Sequence, residues 1–118
     1  MRFLVRLLIN AAALWVALQI VPGLHYEGHW SLLFAVALVF GVLNAVVRPV
    51  LTVLALPLLI LTLGLFTLVI NALMLMLTGW VSGLLDLGFQ VAGFWPALWG
   101  ALVVSLVSVL LSISLRKS

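Results

Sequence analysis

Asn10, Asn44 and Asn71 are the deepest polar side chains in a chain that is otherwise almost entirely apolar. An amide side chain carries two N–H donors and a carbonyl oxygen with two lone pairs. The core of a bilayer offers no water to satisfy them. Each asparagine must therefore face protein or a wet cavity. At about 1.5 Å of rise per residue, Asn10 and Asn71 lie about 10 Å in from the basic-side ends of their helices, and Asn44 about 6 Å from Arg48. All three then share one layer. Their first reading is interhelical hydrogen bonding, worth about 0.6–2 kcal/mol each. The other reading is the wall of a polar path or of a headgroup site. Arg48 is the one arginine away from both chain ends. It is expected at the membrane interface, its stem along apolar surface and its head in the polar layer. There its planar fork suits a lipid phosphate.

Other candidate chemistry is sparse. His25 and His29 flank Glu27, a spacing that holds a metal on a helix. Here it falls in a loop bounded by proline and glycine, with no fourth ligand, so no metal site is expected. With no cysteine, thiolate chemistry and disulfides are out. Asp86 makes no acid–base dyad, and no glycine-rich phosphate loop or nucleophile–base pair is present. No catalytic or cofactor-binding residue, and so no enzyme, is expected. No ionisable residue lies deep in a span, which argues against a proton-coupled pump or transporter.

The elements that must position these residues follow from composition. Of 118 residues, 68% are hydrophobic and 6% charged. A soluble domain has about a quarter charged, so lipid must cover most of this surface. The expected fold class is all-α integral membrane, a single membrane domain over 1–118. A net charge of +3 from five scattered Lys/Arg makes no basic face for nucleic acid. The expected partners are the bilayer and further copies of the chain; no protein partner is indicated.

Four transmembrane helices are expected, over 3–21, 31–47, 64–82 and 96–115. The first is read as an uncleaved span rather than a signal peptide, because Pro22-Gly23 follows it without a small-residue cleavage site. Arg48-Pro49 should close the second, since proline disfavours helix at the residue before it. Residues 49–63 should form a short helical linker, interfacial or re-entrant, broken near Pro57. Arg116-Lys117 form a basic stop. Arg2, Arg6, Arg48, Arg116 and Lys117 then fall on one side, and Glu27 and Asp86 on the other. The positive-inside rule puts both termini and Arg48 in the cytoplasm, in a bacterial inner membrane.

Two patterns refine this. Small residues recur every four positions at Ala37, Gly41 and Ala45, and at Ala97, Ala101 and Ser105, continuing to Ser108 and Ser112. These stripes are read as helix-packing faces that let backbones approach; the alternative is a weakly polar lumen, for which the serines are the best evidence. Second, L-L-I-N-A-A-A-L at 7–14 resembles L-V-I-N-A-L-M-L at 68–75, and W-S-L-L-F at 30–34 resembles W-P-A-L-W at 95–99. The chain then reads as two hairpins of the same orientation, a parallel repeat about an axis along the membrane normal.

The blocks G-V-L-N-A-V-V-R-P-V-L, L-P-L-L-I-L-T-L-G-L-F and V-I-N-A-L-M-L, with a late G-F-Q-V-x-G-F-W, resemble the four-transmembrane phage holin family, superfamily IV, the mycobacterial type. The resemblance covers nearly the whole chain. It implies four transmembrane helices in the cytoplasmic membrane and oligomeric lesions that release a lytic enzyme or collapse the membrane. The chain departs from holins that end in a strongly charged tail. Three functions follow: a holin-like oligomeric pore; alternatively, a non-lytic module binding lipid or a partner protein in envelope maintenance; third, a facilitator of a small neutral or lipidic substrate.

Overall fold

A computed structural model describes residues 2–117; the side chains of Arg116 and Lys117, the expected basic stop, lie outside the described residues. In chain order the elements are α1 (Arg2–Ile20), β1 (Leu24–Tyr26), α2 (Leu32–Leu54), α3 (Leu56–Leu61), α4 (Phe66–Leu84), β2 (Phe89–Val91) and α5 (Phe94–Lys117). Helices α1, α2, α4 and α5 are each long and apolar enough to cross a membrane. Their apolar stretches of 19 to 23 residues correspond to about 28–35 Å.

The four long helices form a ring in the order α1, α2, α4, α5, each packed on the next and α5 on α1. Strands β1 and β2 pair antiparallel, with Leu24 opposite Val91, His25 opposite Gln90 and Tyr26 opposite Phe89. This pairing gathers the end of α1, the start of α2, the end of α4 and the start of α5 at one end of the bundle, the ribbon end. Every helix in the ring is therefore antiparallel to its neighbours. The ends carrying Arg2, Arg6 and the C-terminal basic pair gather at the other, basic end.

The ribbon adds backbone pairing to an otherwise helical fold. Each strand directly follows a glycine of positive φ, Gly23 at 96° and Gly88 at 90°. Glycine adopts that conformation without steric cost. The Glu27 N–H donates to the Gly88 carbonyl at 3.0 Å, and the Ala92 N–H donates to the Gly23 carbonyl at 2.8 Å. Each strand also buries its first residue: Leu24 is 4% exposed and Phe89 fully buried. The sequence predicts loops over 22–30 and 83–95, and the structure places a strand in each. Three residues per strand are too few for periodicity to announce a strand, and each lies far in sequence from its partner.

Packing is densest toward the ribbon end. Ala13, Leu14, Val36, Met74, Leu75 and Thr78 are fully buried there beneath Phe89. The Thr78 hydroxyl donates to the Met74 carbonyl at 2.8 Å, so its polar atom is satisfied within its own helix. Trp15, Trp30, Trp80, Trp95 and Trp99 are all exposed. Each lies within about one and a half turns of this end. They form an aromatic belt of the kind that marks a membrane–water boundary.

The second span differs from expectation. Helix α2 does not stop at Arg48-Pro49; it continues to Leu54 with Pro49 inside. Pro49 cannot donate to the Ala45 carbonyl, a local loss. Ending the helix there would free several more backbone groups where no water can satisfy them. The helix breaks instead at Ala55 (φ −91°, ψ 4°), and Pro57 starts α3 near its first turn, where the missing N–H costs nothing. The segment outside α2 and α4 is thus 55–65, not 49–63. It ends in a Schellman motif: the Gly64 N–H donates to the Leu59 carbonyl at 2.8 Å, and the Leu63 N–H to the Ile60 carbonyl at 3.3 Å. Leu63 takes the left-handed position, with φ 56°. The Thr62 hydroxyl then accepts the Phe66 N–H at 3.1 Å, tying the turn to α4. Asp86 occupies the same left-handed position after α4, with φ 57°.

Candidate functional site

The bundle is hollow toward its basic end. A cavity of about 570 Å³ opens between α1, α2, α4 and α5, room for roughly twenty waters at about 30 Å³ each. Asn10, Asn44 and Asn71 all line it, as does Arg48. The small-residue stripes run from the packed half into this space. On α2, Ala37 is fully buried, Gly41 half-buried and Ala45 exposed; on α5, Ala97 and Ala101 are buried and Ser105 half-buried. Ser105, Ser108 and Ser112 present a lane of hydroxyls along the α5 wall.

The three asparagines do not bond one another. Asn71 Nδ2 donates to Ser105 Oγ at 3.2 Å, joining α4 to α5. Asn44 Nδ2 donates to the Phe40 carbonyl at 2.8 Å, within its own helix. Asn10 lies beside Gly41: a Cβ at Gly41 would stand 3.4 Å from Asn10 Nδ2. All three line the same space without closing it.

Two polar atoms on the cavity wall are left over. Asn44 Oδ1 and Arg48 Nε are both shielded from solvent and without a hydrogen-bond partner. They sit one helical turn apart on α2. A shielded polar atom without a partner costs about 1–3 kcal/mol. Arg48 is also deeper than expected: α2 continues six residues past it to Leu54, about 9 Å. Val50, Val53 and Leu54 on that extension are all exposed and apolar. Exposed apolar side chains therefore continue along α2 beyond Arg48.

Arg6 is the site residue that the sequence reading missed; it lines the same cavity. A usable signal was present. Arg6 and Asn10 on α1 repeat the four-residue spacing of Asn44 and Arg48 on α2, each pair with its arginine toward the basic end. The chain's two acidic side chains, Glu27 and Asp86, belong to the connections at the other end, so among the described residues neither arginine is matched by a carboxylate side chain.

The ribbon end holds the two histidines, the tyrosine and the two acids. His29 Nδ1 lies 2.8 Å from Ser31 Oγ and accepts the Ser31 N–H at 3.2 Å, organising the entry to α2. The Tyr26 hydroxyl donates to the His29 carbonyl. Burial pushes the Tyr26 hydroxyl above its usual range. Among the described residues, no three of His, Asp and Glu gather as a metal site.

Sequence comparison adds context to this geometry. The family profile described as mycobacterial 4 TMS phage holin, superfamily IV, matches residues 1–110. An uncharacterized protein of Streptomyces coelicolor is 53% identical over 111 residues, covering 90% of this chain and 89% of its own length. The uncharacterized membrane protein YvlD of Bacillus subtilis is 34% identical over 110 residues, covering 93% of this chain and 89% of its own length. No solved structure matches the chain.

Proposed function

Since the chain belongs to the mycobacterial four-transmembrane phage holin family, superfamily IV, and yet its bundle encloses a blind cavity, we propose that it works as a non-lytic binding module in the membrane. The observation that carries this is the seal. Between the cavity and the ribbon end lie Leu14, Val36, Met74, Leu75 and Phe89, all fully buried. Among the described residues, these buried apolar side chains separate the cavity from the ribbon end. What the bundle offers is a polar pocket with two arginines, open toward the basic end and along its side but not through the ribbon end.

The positive-inside rule supports an orientation with the basic end and both termini in the cytoplasm of a bacterial inner membrane. Residues 55–65 do not cross the membrane in this arrangement. Leu61 and Leu63 are 78% and 93% exposed, so the linker dips into the cytoplasmic leaflet as an apolar turn. The reciprocal ribbon bonds, Glu27 to Gly88 and Ala92 to Gly23, support a parallel repeat in which α1–β1–α2 corresponds to α4–β2–α5. The ring order fits that correspondence too.

A second reading is favoured by the family's description as holins: pores formed between copies of the chain rather than through one. Dye leakage from liposomes separates the two. The binding module leaves the dye retained as protein density rises. Leakage that rises steeply with density would replace it with the oligomeric pore.

A further inference from the structure

We infer that the cavity takes the phosphate-bearing headgroup of an anionic membrane lipid, held by Arg6 and Arg48. This rests on the binding-module reading and gives the module its ligand class.

The charge in the cavity wall is of one sign. Among the described residues, Arg6 and Arg48 are its charged side chains, and no carboxylate side chain joins them. An arginine placed toward the interior of a bilayer is costly, about 2.5–3.5 kcal/mol at a helix centre, and is commonly paired. Arg48 cannot simply reach past a helix end, because α2 and an uncharged linker continue beyond it. Its Nε is shielded and unbonded. An anion in the cavity supplies the missing counter-charge to the guanidinium. Phosphate oxygens suit the guanidinium geometry, accepting two parallel N–H bonds.

The rest of the wall fits a headgroup attached to a lipid tail. Ser108 and Ser112 on α5 offer hydroxyls that donate to phosphate-ester oxygens. Phe3 and Val42 line the cavity and are 62% and 51% exposed. The cavity thus has an apolar rim in contact with lipid. A phosphate on an acyl-chain carrier can enter sideways and leave its chains outside. A free inorganic phosphate has no use for that rim.

The test uses the full chain in nanodiscs of phosphatidylcholine with or without phosphatidylglycerol, with native mass spectrometry as the readout. We expect one phosphatidylglycerol retained per chain, with about tenfold preference over phosphatidylcholine. Arg6→Gln and Arg48→Gln should each abolish that preference. Should Arg48→Gln fail to fold, Arg48→Lys keeps the charge but lacks the planar guanidinium fork, and retention should fall severalfold. Undiminished retention in Arg48→Lys, or no preference in the parent, overturns the proposal. Displacement of the lipid by millimolar inorganic phosphate overturns the lipid source and leaves a soluble-phosphate site. Dye leakage read on proteoliposomes of the same lipids keeps the two readings apart. Leakage with the preference intact removes the blind-module reading alone; retained dye without the preference removes the ligand assignment alone.

Discussion

The two ends of this bundle are built from the same apolar alphabet and solve opposite problems. At the ribbon end, backbone pairs with backbone, small residues meet large ones, and Phe89 and Leu24 close the ring from above. At the basic end, similar small-residue stripes diverge around a cavity, and two polar wall atoms stay unpaired. The contrast teaches where stability and function reside. Unpaired buried polar atoms occur at both ends, Ser82 Oγ near the ribbon and Asn44 Oδ1 and Arg48 Nε near the basic end, but only the basic end adds a cavity beside them.

The sharpest test of that contrast is the same substitution at each end. A Cβ at Gly100 would stand 2.7 Å from Leu24 Cδ1 and 2.8 Å from Leu75 Cδ2. Gly100→Leu should therefore overpack the ribbon end and cost about 1–3 kcal/mol. At Gly41 the nearest atom to a new Cβ is Asn10 Nδ2 at 3.4 Å, and the cavity lies beyond. Gly41→Leu should melt within about 0.5 kcal/mol of the parent while filling the cavity. Thermal unfolding in detergent measures both. Equal losses at the two sites would break the comparison.

A smaller effect separates residues inside the cavity. Asn71→Leu removes the bond to Ser105 Oγ, and interhelical bonds in bilayers are worth about 0.6–2 kcal/mol. Asn10 makes no side-chain hydrogen bond among the described residues, so Asn10→Leu should cost close to nothing. Sequence symmetry alone would have matched the two losses. A double-mutant cycle with Ser105→Ala checks the pairing: its coupling energy should be present with Asn71 and absent with Asn10.

The smallest effect is a pH dependence confined to the ribbon end. Burial raises the Tyr26 hydroxyl in the folded state, and an unperturbed tyrosine titrates near pH 10. Its contribution is therefore complete below about pH 10 and lost as pH rises through the folded value. Melting temperature should fall in that alkaline window, and Tyr26→Phe should flatten the fall. Tyr26 is the one tyrosine, so tyrosinate absorbance reports its titration directly.

Much of this was legible in the residues, for identifiable reasons. The four spans follow from apolar length, and Pro22-Gly23 marks the end of the first helix. The asparagine layer follows from helical rise, because straight helices turn residue count into depth. Pro49 misled because the rule for the residue before proline weakens inside lipid, where helix continuation is enforced by unsatisfied backbone. The ribbon was hidden because its pairing is long-range. Arg6 was hidden by its place near the terminus, where an arginine reads as a topology marker rather than a wall of a site. The orphan atoms on α2 required side-chain geometry that spacing cannot provide.

The central claim is that the cavity is open at the basic end and sealed at the ribbon end. The chain has no cysteine, so single cysteines can be labelled from either face of the membrane with an impermeant thiol reagent. Asp86→Cys marks the ribbon side, Ser108→Cys the cavity and Thr78→Cys the seal. The account predicts that Ser108→Cys reacts only from the face opposite Asp86→Cys, and that Thr78→Cys reacts from neither. Labelling of Ser108→Cys from the Asp86 face would contradict it, because that requires a continuous path through the bundle.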